Sequence, residues 1–78
     1  MQTFFVQIKC ELGKTYEVAQ RIADRELHSE IYSTAGDFDL LVKYHIGSDI
    51  DIGHFVGENL QNIAGIKDTR TVITFKAF

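Results

Sequence analysis
Hydrophobic and polar residues alternate over four stretches of the chain. Phe4, Val6, Ile8 and Cys10 interleave with Phe5, Gln7 and Lys9, the period-two pattern of a β-strand. Ser29 to Ala35 alternates more weakly, with Ile31, Ser33 and Ala35 against Tyr32 and Thr34; its β-branched and aromatic content favours a strand and its lower hydrophobicity an edge position. Phe38, Leu40, Val42, Tyr44 and Ile46 make one face of the third and most apolar strand, with Asp39, Leu41, Lys43 and His45 on the other, which predicts a central place. Arg70 to Lys76 is the fourth, Thr71, Ile73 and Phe75 alternating with Val72, Thr74 and Lys76.

Between these stretches the period lengthens. Val18, Ala19, Ile22, Ala23 and Leu27 recur at helical spacing among Glu17, Gln20, Arg21, Asp24 and Arg25, so an amphipathic helix should lay its apolar stripe on the sheet. Ser48-Asp49-Ile50-Asp51 has the form of a capping box, in which a Ser oxygen and an acid satisfy free N–H groups at a helix start. Ile52, Phe55, Val56, Leu60 and Ile63 continue as a second helical stripe, and Gly65 is placed to end it in a left-handed cap.

The order β-α-β-β-α-β predicts an α+β, ferredoxin-like fold, an antiparallel sheet with both helices on one face. Right-handed crossovers put strands one and three in the centre. The second sheet face should then carry Phe5, Leu41 and either Val72 or Ile73. Apolar patches of that kind usually mark association, so a dimer pairing these open faces into a dimeric α/β barrel is expected.

Composition narrows the setting. The 78-residue chain is 45% hydrophobic and 24% charged and has no proline, as expected of one ordered domain spanning residues 1–78. A chain this short buries only about 60% of its unfolded surface, so self-association would help it. Net charge is −3, and the eight basic residues are scattered from Lys9 to Lys76. Nucleic-acid affinity comes largely from clustered Lys and Arg, so direct nucleic-acid binding is not expected. Cys10 alone can form no internal disulfide and reads as a buried thiol in a reducing compartment. No apolar run is long enough to span a bilayer, and Met1 leads into a strand instead of a signal peptide; a cytoplasmic protein without membrane contact is expected.

The candidate chemistry lies in two polar segments, Gly36-Asp37-Phe38-Asp39-Leu40-Leu41 and Gly65-Ile66-Lys67-Asp68-Thr69-Arg70-Thr71, which the topology should bring near one another. Taken alone, the first is a hairpin turn, since Gly reaches positive φ freely and Asp hydrogen-bonds its own nearby backbone. His28, His45 and His54 fall on different elements without the close spacing of a metal site. No nucleophile–base pair stands out, so no catalytic residue, metal or cofactor is assigned.

Gly36-Asp37-Phe38-Asp39-x-Leu41, followed after a helix by Gly65-Ile66-x-Asp68-Thr69-Arg70-Thr71, resembles the two signatures of the C-terminal ligand-binding (RAM) domain of the Lrp/AsnC family. The likeness runs from the first strand to the last. Residue 64 is Ala where the family commonly has Pro, and the chain starts at the first strand with no helix-turn-helix before it, so the resemblance is to the stand-alone members. It implies a non-enzymatic regulatory domain, dimers assembling into a ring, a free amino acid bound between dimers, and action on transcription through a DNA-binding partner such as a full-length Lrp/AsnC regulator. Gly36, Asp37, Phe38 and Asp39 match the turn that lines the effector pocket, Asp39 the position associated with effector response, and Thr69 and Thr71 the polar residues of the last strand that face it. On that reading Asp39→Ala should weaken binding and leave the fold intact. Two other classes stay open: a structural partner that co-assembles with full-length regulators, and a small dimeric α/β-barrel enzyme, for which His45 is the one strand histidine.

Overall fold
The alternating rows become the two faces of a single sheet. In the computed structural model, which describes residues 1–78, β1 (Gln2–Cys10), α1 (Thr15–Asp24), β2 (Glu30–Ser33), β3 (Leu40–Ile46), α2 (Ile52–Asn59) and β4 (Ile66–Ile73) follow in that order. Every strand pair is antiparallel and the sheet order is β2-β3-β1-β4. The fold is ferredoxin-like, β1 and β3 are central, and β2 is an edge, as the hydrophobic pattern predicts.

Register assigns the faces. Phe4 pairs with Tyr44, Val6 with Val42 and Ile8 with Leu40 across the centre. These side chains are buried together with Cys10 and Ile46, and Val18, Ile22, Val56, Leu60 and Ile63 close over them from the helix side. Phe4 stacks on Tyr44 with ring centroids 5.3 Å apart, and Phe55 meets both rings edge-on. Burial pushes the Tyr44 phenol well above the usual tyrosine range.

Several boundaries differ from the sequence expectation, each for a local reason. The first helix ends at Asp24, because Glu26 takes a left-handed φ of 54° and turns the chain away; Leu27 is left 43% exposed. The second helix is capped by Asp51, whose carboxylate accepts the His54 N–H at 2.8 Å, and not by Ser48. Asp51 is the residue just before Ile52, the position from which a side chain reaches the orphan donors. The same helix stops at Asn59. Arg25, at the end of α1, donates to its last carbonyl, that of Asn59, at 2.8 Å, and Arg21 to the Ala64 carbonyl in the turns that follow at 2.7 Å. Leu60 and Ile63 keep their buried places through tight turns after the helix.

Gly65 therefore does not cap α2; it immediately precedes β4. Its φ is +96°, its carbonyl accepts the Glu11 N–H at 2.8 Å, and a Cβ there would stand 2.9 Å from Val18 Cγ2, so both conformation and space call for glycine. β4 begins at Ile66 instead of Arg70. A register shift at Lys9/Cys10 leaves Lys67 without a partner and breaks the alternation there.

The sheet face away from the helices carries Phe5, Gln7, Leu41 and Lys43. Val72, opposite Phe5, belongs to it and is 41% exposed, whereas Ile73, opposite Phe4, lies on the helix side. Tyr32 adds a half-exposed ring beside Leu41. Glu30 and Lys43 pair on the same face at 3.3 Å, and the Glu30 carboxyl is held below its usual range first by the Tyr32 hydroxyl and then by Lys43.

Candidate functional site
The Gly36–Asp39 turn joins β2 to β3 at one end of the sheet. Gly36 has φ +100°, which permits the reversal. The Thr34 N–H donates to the Asp39 carbonyl at 2.9 Å, and the Thr34 hydroxyl to the Phe38 carbonyl at 2.9 Å. Lys9 reaches over from β1 to donate to the Asp37 carbonyl at 3.1 Å. The turn is held by its own backbone, and its acids are left to do other things.

Asp39 is the most heavily engaged. Its N–H donates to the Ile8 carbonyl and its carboxylate Oδ2 accepts the Cys10 N–H, both at 2.8 Å. The β1–β3 pairs end at Ile8 and Leu40, so the carboxylate takes the place of the carbonyl that a further strand residue would have offered. Burial, seconded by the Asp39 charge and opposed by the Thr15 hydroxyl, raises the Cys10 thiol above its ordinary range.

The expectation that Asp39→Ala leaves the fold intact is revised by this geometry. The change strands a partly buried N–H, and a lost hydrogen bond to a charged group with its donor left unsatisfied costs about 1–3 kcal/mol. Asp39→Ala should lower the urea midpoint accordingly, while Asp39→Asn, which keeps an acceptor oxygen, should recover most of the loss. Equal midpoints for wild type and the Ala variant would remove this structural role.

Phe38 does not continue the buried row of β3. Because the strand begins only at Leu40, its ring turns to the open face, where the Arg70 guanidinium lies 5.4 Å from its centroid. The turn and the start of β4 do therefore meet, and Gln7, Thr34, Asp37, Phe38, Leu41 and Arg70 line a cleft of about 350 Å³. Sequence reading named Arg70 only as part of a motif and as one of the scattered basic residues. Its alternation with Thr69 and Thr71 was the available signal that it faces the other way.

Thr69 and Thr71 lie opposite Ile8 and Val6, on the helix side of the sheet. The Thr69 hydroxyl accepts from the Gln61 amide at 3.1 Å, and Thr71 lines a separate groove with Ile52, Gly53 and Ile73. Within one chain the sheet separates both threonines from Phe38. Elsewhere on the open face the Thr3 hydroxyl and His45 Nδ1 are hydrogen-bonded at 2.6 Å.

The architecture is a four-stranded ferredoxin-like sheet with one uncovered face and a turn-lined cleft at its end. The chain belongs to the Lrp/AsnC ligand binding domain family, whose profile matches residues 3–78. It is 33% identical over 72 residues to the HTH-type transcriptional regulator FL11 of Pyrococcus abyssi, a match covering 92% of this chain and 47% of that protein. The chain thus spans about half the length of the curated relatives it matches. Among solved structures, FFRP-DM1 superposes with a TM-score of 0.87 and 28% identity over 96% of this chain and all of that one. A transcriptional regulator of Neisseria meningitidis, solved as its L-Met complex, shares the fold with a TM-score of 0.82 at 17% identity, over 96% of this chain and 50% of that chain.

Proposed function
We propose that this chain is an amino-acid-sensing regulatory domain: it binds a free amino acid at the junction between dimers, and the bound ligand sets the assembly state that a DNA-binding partner reads in controlling transcription. The observation that carries the reading is the cleft where the Gly36–Asp39 turn meets Arg70, a concave site with both signs of charge at the rim of an uncovered sheet face. The regulator relatives and the L-Met complex of a protein with this fold support it. Thr69 and Thr71 face the other side of the sheet, so a site using them with the turn draws the two motifs from different chains. This accounts for a pocket that needs assembly. A ligand bound at such a junction stabilises whichever assembly completes the pocket, which is how concentration becomes an oligomeric signal.

A thermal-shift screen of the whole chain against the proteinogenic amino acids tests this, since a ligand that binds only the folded form raises Tm by mass action. A shift with one or a few amino acids, accompanied by a change in mass by light scattering, is the expected result. No shift from a folded and assembled sample would instead favour the second reading, a co-assembly partner of full-length Lrp/AsnC regulators. The uncovered sheet face serves that reading equally well, and it requires no small molecule.

A further inference from the structure
We infer that Arg70 anchors the carboxylate and Asp37 the ammonium of the bound amino acid, and that the effector carries an apolar side chain. The inference rests on the sensor reading above and assigns its chemistry.

The chain has three arginines. Arg21 and Arg25 spend their donors on the carbonyls of Ala64 and Asn59, tying the end of α1 to the last residue of α2 and to the turns after it. Arg70 has no hydrogen-bonded or ionic partner; the ion pairs of the molecule are Lys14–Glu17, Arg21–Glu17, Lys43–Glu30 and His54–Glu58. Its guanidinium is instead placed by the Phe38 ring, 5.4 Å away. An aromatic contact steadies a guanidinium without consuming N–H donors, leaving its fork free for a bidentate carboxylate.

Asp37 is the counterpart. Its carbonyl is held by Lys9 at 3.1 Å, which fixes the loop, while its carboxylate joins none of the ion pairs. The two charges line the same cleft without pairing to each other. The same cleft is lined by Phe38, Leu41 and Gln7. A free cation, a free anion and an apolar floor form the complement of a zwitterion with a hydrocarbon side chain. A volume of about 350 Å³ is near the lower end of ligand pockets, roughly 300–1,000 Å³, and suits a single amino acid better than a nucleotide or a peptide. Of the lysines at this end of the sheet, Lys9 is committed to the Asp37 carbonyl and Lys67 lines a different cleft with Gln61 and Thr69.

Titration calorimetry on the full chain with L-leucine, L-methionine and L-phenylalanine, and with the α-amide of whichever binds best, reads the assignment. Arg70 and Asp37 are exposed, so Arg70→Gln and Asp37→Asn should stay folded, as circular dichroism will show. Losing one charge-assisted contact should weaken the free amino acid by about 10- to 100-fold in each variant. The α-amide, which has no carboxylate, should bind wild type and Arg70→Gln alike, and Arg70→Lys should recover part of the loss. Undiminished amino-acid binding by Arg70→Gln would overturn the assignment while leaving the sensor reading intact. So would an Arg70→Gln protein whose mass differs from wild type without ligand, because Arg70 would then be a subunit contact. If wild type binds a polar or charged amino acid and no apolar one, the apolar assignment falls; if the full panel fails to bind, the sensor reading falls with it.

Discussion

Replacing Phe4 with alanine should destabilise the domain by about 3–5 kcal/mol, the cost of deleting a buried aromatic ring whose cavity cannot collapse. Phe4 is fully buried on the central strand, stacked 5.3 Å from Tyr44 and met edge-on by Phe55 at 6.0 Å. Removing it takes away one side of both contacts, and the rings that remain are fixed by their backbones, Tyr44 on the central strand β3 and Phe55 on α2, which resists closing the gap. A chain of 78 residues has a total stability of roughly 4–12 kcal/mol at ordinary values per residue. The single change therefore removes a large fraction of it, and at the low end unfolds the domain outright. Urea titration followed by far-UV circular dichroism, at several protein concentrations to separate folding from association, measures the effect. A loss below about 1 kcal/mol would mean that the aromatic trio is not the keystone of the core.

Phe5→Glu tests the opposite face. Phe5 is half-buried on β1 with Val72 beside it and Lys43 at 6.0 Å from its ring. If two copies pair their open faces, a central-strand position is enclosed by the contact. The new carboxylate would be desolvated, and Lys43, already paired with Glu30 at 3.3 Å, is a poor partner for it. An uncompensated buried charge costs about 3–5 kcal/mol, so dimerisation should weaken by more than roughly a hundredfold. Light scattering should report a smaller species than for wild type, with the helical and strand signals retained. Should the variant fail to fold, Val72→Glu places the charge on a side chain 41% exposed in the single chain, where the folding cost is small. A variant that remains dimeric in both cases would move the interface elsewhere.

The sequence made the layers legible because they follow from side-chain periodicity. The rows from Phe4 to Cys10 and from Leu40 to Ile46 are buried as their alternation implies, and the weak hydrophobicity of Ser29 to Ala35 marks β2 as an edge. What the pattern could not supply were events governed by partners distant in sequence. Leu60 and Ile63 fit a helical stripe and are buried, yet the helix has ended at Asn59, whose carbonyl accepts from Arg25 just past α1. The irregular entry to β4 depends on how Cys10 and Ile66 pair across a bulge. The capping-box reading starts the helix from Ser48, whereas the helix begins at Ile52 and the acid, Asp51, is its cap.

The candidate site divides in the same way. That the turn and the start of β4 come together was readable from topology; that they do so through Phe38 and Arg70 on one face, with Thr69 and Thr71 on the other, was not. Phe38 was assigned by parity to the row of Leu40, but parity holds only within a strand, and the strand begins two residues later. Asp39 shows the same limit. An acid in a turn can serve a ligand or the backbone, and the Cys10 N–H at 2.8 Å is visible only in three dimensions.

That last hydrogen bond makes the lone thiol a clock. Cys10 is 6% exposed, its thiol is held protonated by burial, and its own N–H is fastened to the turn through Asp39. A disulfide reagent can react with it only when this end of β1 comes loose, so its rate of modification counts openings of the sheet beside the cleft. With no second cysteine to confuse the signal, the wild-type chain reports its own local motion, and anything that seats itself against the turn will be timed by a residue it need never touch.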